Sequence, residues 1–170
     1  MNRPQYILQP VNPYFIVFSL AAAFLLNLLP YGRMIAIPDF VALVVLFWNV
    51  HQPRKVGMGV AFFLGLLMDV HNASLLGEHA LAYTLLSYGA ITIHRRVLWM
   101  SLGLQAFAVT PLLVGAHLVP FVIRLLAGGA FPGWGYLING FIEGALWPIA
   151  SILLLLPQRR PVDPDDTRPI

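Results

Sequence analysis

The stretch LWMSLGLQAFAVTPLLVGAHLVPFVI, Leu98–Ile123, sets the class of this protein. As a straight helix it is about 39 Å long, enough to cross the roughly 30 Å hydrocarbon core of a bilayer. Pro111 and Pro120 within it predict a kink or a strong tilt. The rest of the chain has the same character. Of 170 residues, 59% are hydrophobic and 10% charged, with a mean hydropathy of +0.78. Soluble domains carry roughly 25% charged residues. A soluble chain of this length needs a polar surface around its core, and 10 basic and 7 acidic side chains cannot provide it. Bilayer is therefore read as most of the solvent.

Working towards the N-terminus, His79–Ile93 reads as a fourth span, ended by His94-Arg95-Arg96, with a loop at His71–Glu78 before it. Arg54–Val70 is a short third span of roughly 25 Å, so Asp69 falls at the far membrane edge. His51–Lys55 is a tight polar turn. Met34–Val50 is the second span, with Pro38 and Asp39 in its first turns, where the first helical N–H groups lack intrahelical partners anyway. Tyr14–Leu29 is the first, stopped by Pro30-Tyr31-Gly32. No A-x-A-type site follows it, so it reads as a retained span and not a cleaved signal.

Towards the C-terminus, the glycines and proline of Ala127–Gly135 predict a break. Tyr136–Leu156 is the sixth span, with Pro148 inside. The expectation is an all-α chain with one six-helix transmembrane domain over residues 1–156. A disordered cytoplasmic tail follows over 157–170.

Lys and Arg give the orientation. Six spans put Arg3, Arg54, Lys55, Arg95, Arg96, Arg159, Arg160 and Arg168 on one side and Arg33 and Arg124 on the other. Both termini are then cytoplasmic; five spans would break this alternation. Arg159 and Arg160 either set topology or hold the tail against anionic lipid.

Several function classes find no support. The formal charge of +3 is spread over helix ends and forms no nucleic-acid patch. Cysteine is absent, so disulfides and cysteine metal sites are excluded. The five histidines form no H-E-x-x-H or His-x-x-x-His pair. No serine sits in a G-x-S-x-G context, and no P-loop or dinucleotide fingerprint implies a cofactor. No repeat supports an inverted-repeat transporter. The tryptophans and tyrosines read mostly as interfacial belt residues, with Trp147 a packing residue.

Gly57, Ala61, Gly65 and Asp69 recur every fourth residue and share one helix face. Small residues at that spacing let helices approach closely in lipid. An acid ending such a stripe faces protein or water. The stripe is either a partner-binding or hydrogen-bonded seam or ordinary packing within the bundle. Asp39, after Pro38, is either a first-turn acid favoured by the helix dipole or one of an intramembrane pair. Glu143, between Gly140 and Gly144, lies roughly 10 Å deep and demands a partner or a proton. Arg124, Arg33 and His117 are the candidates.

An ordered set of short motifs then resembles a known family. Pro38-Asp39-Phe40-Val41 opens a span ending in Phe47-Trp48, before Pro53-Arg54. Gly65-Leu66-Leu67-Met68-Asp69, Ser74-Leu75-Leu76-Gly77 and Ala80-Leu81 follow, with Trp147-Pro148 in the last span. The set, recognisable over residues 38–96, is similar to the rod shape-determining MreD proteins.

The resemblance implies a multi-pass protein of the bacterial inner membrane with no enzymatic activity and no cofactor. It implies a fold similar to the substrate-binding subunits of energy-coupling-factor transporters. It implies partnership with the single-span MreC and, directly or indirectly, with MreB, penicillin-binding protein 2 and RodA, and so an influence on lateral peptidoglycan synthesis. Pro38, Asp39, Gly57, Ala61, Gly65, Asp69, Gly77, Gly140, Glu143 and Gly144 are the candidate partner-binding or helix-packing residues, with membrane lipids and a second copy as further possible contacts.

Two competing readings stay open. A small-molecule transport subunit needs several polar groups converging on a pocket. An intramembrane enzyme needs a buried acid or histidine pair, and would be removed by wide separation of Asp39, Asp69 and Glu143.

Overall fold

Nine of the twelve residues of one helix, Phe40–His51, are buried, and the rest of the fold is built around it. The computed structural model describes residues 7–8, 12–30, 37–128 and 133–160. Six α-helices run in the order α1 (Pro13–Asn27), α2 (Phe40–His51), α3 (Met58–His71), α4 (Glu78–Trp99), α5 (Leu102–Leu126) and α6 (Gly135–Leu155). A 3-10 turn, Leu156–Gln158, follows α6. A two-residue antiparallel pair joins β1 (Ile7–Leu8) to β2 (Arg159–Arg160). Pro157–Arg160 thus lie in regular structure, and the rest of the expected tail lies outside the described residues.

Three boundaries differ from expectation, each for a local reason. Helix α2 does not begin at Met34 with Pro38 and Asp39 in its first turns. It begins at Phe40, with Asp39 as its N-cap accepting from the Ala42 amide at 3.0 Å. A capping carboxylate holds the residue outside the helix, and Pro38 biases Ile37 away from helical geometry. Helix α4 does not end at Ile93 but continues through His94-Arg95-Arg96 to Trp99. Basic side chains are favoured in a last turn by the helix dipole, so they mark the end without causing it. Helix α5 accordingly starts at Leu102, not Leu98.

Helix α2 is roughly 18 Å long, too short for a bilayer core by itself. It lies against α1, α4 and α6 and has little surface left for any solvent. Around it α3 packs on α4, α4 on α5 and α5 on α6. Helices α5 and α6 are long and apolar enough to cross a membrane; α1, α2 and α3 are apolar but shorter.

The polarity of the molecule is inverted relative to a soluble protein. Phe63, Val70, Leu76, Phe107, Leu126 and Leu153 are exposed, whereas Asn49, Asp69, Glu78, Ser87, His117 and Glu143 are buried. Buried polar groups join neighbouring helices. Ser87 donates to Asn49 at 2.7 Å, Trp48 to Ser19 at 2.8 Å, and Trp147 to Gln105 at 3.2 Å. Such bonds hold helices together where apolar burial gives no driving force between them. Trp99 and Trp134, at helix ends, are exposed as belt residues would be. Trp48 is not: it is core, like Trp147.

Candidate functional site

The polar groups concentrate at one end of the bundle, where α1, α3 and α5 finish and α2, α4 and α6 begin. Asn27, the last residue of α1, donates to Asp39 Oδ1 at 2.8 Å, and its own oxygen accepts from the Phe40 amide at 3.0 Å. One side chain thereby completes the N-terminal cap of α2 and ties it to α1. The Tyr83 hydroxyl, from α4, donates to Asp39 Oδ2. Glu143, from α6, accepts from the Asp39 amide at 2.7 Å and bonds His117 Nε2, from α5, at 2.7 Å. Five helices thus meet through one hydrogen-bonded cluster. Glu143 is fully buried.

Of the three candidate partners for Glu143, the structure selects His117. Arg124 is paired instead with Glu78, the first residue of α4, and lies 5.6 Å from the Tyr136 ring centroid. Arg33 lies outside the described residues. Asp39 takes part in a pairing network as well as capping α2.

Asp69 forms a second cluster. Near the end of α3, its carboxylate accepts from the amides of Gly77 at 2.8 Å and His79 at 2.7 Å, and from Ser74 Oγ at 3.1 Å. His79 Nδ1 is 2.9 Å away. The amides belong to the start of α4, where orphan N–H groups and the helix dipole favour an anion. Gly77 caps that helix with a positive φ of 101°, a conformation that favours glycine.

The small-residue stripe is a packing face, and its neighbour is α4. A Cβ on Gly65 would stand 2.5 Å from Ala80 N and 2.6 Å from His79 O, so the backbones touch there. Ala61 is fully buried beside it. Gly57 contributes no close contact: it is the N-cap of α3, and a Cβ would meet only Pro53 O at 3.7 Å. In α6, Gly140 lies against Val114 of α5, 2.7 Å from a Cβ to Val114 Cα, and Gly144 against Thr110. Pro38 borders a cavity beside Asp39.

Asp39 and Glu143 are therefore neighbours, not separated, and buried acid–histidine pairs occur at Glu143–His117 and Asp69–His79. Neither resembles a hydrolytic site. In a Ser-His-Asp triad the acid and the serine take opposite ring nitrogens. Here Ser74 Oγ, at 3.5 Å, and Asp69 both lie on His79 Nδ1. The amides that Asp69 and Glu143 accept fix helix ends.

Comparison with known proteins agrees with this helical arrangement. Residues 9–156 match the family described as rod shape-determining protein MreD. The chain belongs to the MreD family. The "Rod shape-determining protein MreD" of Haemophilus influenzae is 30% identical over 155 residues, covering 89% of this chain and 93% of that protein. No solved structure matches the chain. MreD membership assigns the chain to bacterial rod-shape determination and extends the resemblance from residues 38–96 to nearly its whole length.

Asn27, Tyr83 and Asn139 were not among the candidates from sequence. Asn27 was visible as a polar residue within an apolar run. Tyr83 lies four residues after His79, on the same helix face. Nothing local marks Asn139.

Proposed function

We propose that this chain is a non-enzymatic scaffold of the cell-wall elongation machinery. It crosses the bacterial inner membrane six times, with both termini cytoplasmic, and binds the single span of an MreC protein. Through MreC it acts, directly or indirectly, with MreB, penicillin-binding protein 2 and RodA on lateral wall synthesis.

The observation that carries this reading is the disposition of polarity. Most buried polar side chains face one another inside the bundle, and the outer surface is apolar. Such a molecule offers helix faces to other helices. One face is grooved. Helices α1, α2 and α6 leave a cleft of about 340 Å³ between them, lined by Phe15, Phe18, Leu43 and Leu153. Ala22 and Ala150 are the small residues in its wall, and small residues permit close backbone approach by a further helix.

Detergent co-purification with a co-expressed MreC tests this. Ala22→Phe and Ala150→Phe fill the cleft without touching a hydrogen bond, and recovery of MreC should fall at least tenfold with the melting temperature unchanged. Full recovery with both variants would remove the cleft as the interface. No complex with the wild type would remove the direct scaffold.

A small-molecule transport subunit is the second reading, and the polar cavity beside Asp39 is the observation that favours it.

A further inference from the structure

A cavity of about 320 Å³ opens at the end of the bundle where Asp39 caps α2. Its polar wall includes Asn27, Asp39, Tyr83, His117, Tyr136 and Asn139, which come from all the helices but α3; Met68 adds that one. The volume lies within the range of small-ligand sites, roughly 300–1,000 Å³.

Acceptors outnumber donors here. Asp39 Oδ1 takes the Asn27 amide and the Ala42 N–H, and Oδ2 takes only the Tyr83 hydroxyl. A carboxylate has about four lone-pair sites, so Oδ2 retains one. Glu143 takes both its donors on Oε1, and its Oε2 is buried without a partner. Asn139 Oδ1 is likewise buried without a partner. Two carboxylates share one imidazole, that of His117. Among the described residues, no Lys or Arg lines the cavity, and Arg124 is engaged by Glu78. Buried carboxylates call for an opposite charge, and orphan acceptors for donors.

We propose that this cavity binds a primary ammonium group, whose N–H bonds meet Asp39 and Asn139 while Glu143 supplies the second negative charge. Three donors on one positive charge supply what the wall lacks. Two sources carry this group in a membrane setting: the headgroup of phosphatidylethanolamine, and a free small amine. A trimethylammonium group has the same charge and no N–H, and so serves as the control.

The test uses the full chain purified in detergent. Native mass spectrometry follows retention of phosphatidylethanolamine, phosphatidylcholine and phosphatidylglycerol of matched acyl chains offered at equal mole fractions. Thermal-shift titrations use ethanolamine and choline. At least tenfold retention of phosphatidylethanolamine over phosphatidylcholine assigns the lipid headgroup. A saturable stabilisation by ethanolamine and not by choline, without lipid preference, assigns the free amine.

Asn139→Leu, whose Oδ1 has no partner to lose, and Asp39→Asn, which keeps a capping oxygen, should each weaken the response tenfold. Equal retention of the two zwitterionic lipids together with no ethanolamine response overturns the proposal. So does preference for phosphatidylglycerol, or a wild-type response from Asn139→Leu, which decides the matter alone should Asp39→Asn not fold.

Discussion

The backbone amide of Asp39 donates to Glu143 Oε1 at 2.7 Å, across 104 positions of sequence. This bond fixes the start of the central helix α2 to α6. The same oxygen meets His117 of α5 at 2.7 Å, so one carboxylate sets the position of three helices.

Replacing Glu143 separates its charge from its acceptor role. Glu143→Leu leaves the Asp39 amide and the His117 ring without a partner, and should destabilise the fold by about 3 kcal/mol. Glu143→Gln keeps an oxygen for the amide and should cost about 1 kcal/mol. Thermal unfolding in one detergent ranks the two; equal melting temperatures would show that the carboxylate does not hold these helices.

Glycine positions along α3 should differ sharply. Gly65→Ala drives a methyl into the backbone of α4, where His79 O lies 2.6 Å from the new carbon. Overpacking of this kind costs about 1–3 kcal/mol. Gly59, on the same helix, has open space around a Cβ, and Gly59→Ala should gain up to about 1 kcal/mol from helix propensity. Similar losses at both sites would count against direct contact of α3 and α4 at Gly65.

Asp69→Asn bears on the internal placement of the stripe. An amide in that position turns an N–H₂ towards the amides of Gly77 and His79, which the carboxylate now accepts at 2.8 and 2.7 Å. A loss of about 2 kcal/mol is expected. Because Asp69 faces α4 and not the outside, the variant that remains folded should still co-purify with MreC. Size-exclusion followed by quantitation of MreC per folded protein reads this; a selective loss of MreC with unchanged melting would return α3 to the interface.

Arg124→Leu leaves Glu78 buried beside the start of α4 without its counter-charge. Breaking a buried pair from one side costs about 3–5 kcal/mol, less here because Arg124 is partly solvated. The double change Arg124→Leu with Glu78→Gln should recover most of the loss. A double variant no more stable than the single would mean that the two side chains act separately.

Local rules carried much of the fold and less of the site. Helices α3, α5 and α6 were visible because apolar length and glycine or proline breaks are read along the chain. Asp39 shifted a boundary because a capping acid and an early helical acid look alike until the backbone is seen. The stripe through Gly65 announced close packing correctly, but spacing says which face packs and not against what, so an internal neighbour and an external partner were equally open. Glu143 announced a need for a partner in the same way. Choosing His117 over Arg124 depends on how α4, α5 and α6 sit together, which is a property of the assembled bundle. Asn27 was passed over because a lone amide near a helix end is ordinarily solvated.

The pairing of Ile7–Leu8 with Arg159–Arg160 imposes an arithmetic on the chain between them. Two segments bonded edge to edge share one aqueous compartment, since no bilayer fits between hydrogen-bonded backbones. Every excursion that begins beside one strand must come home beside the other. The tally of crossings is therefore even, whatever the length of any single helix. A crossing lost or gained by mutation would have to take this small clasp apart.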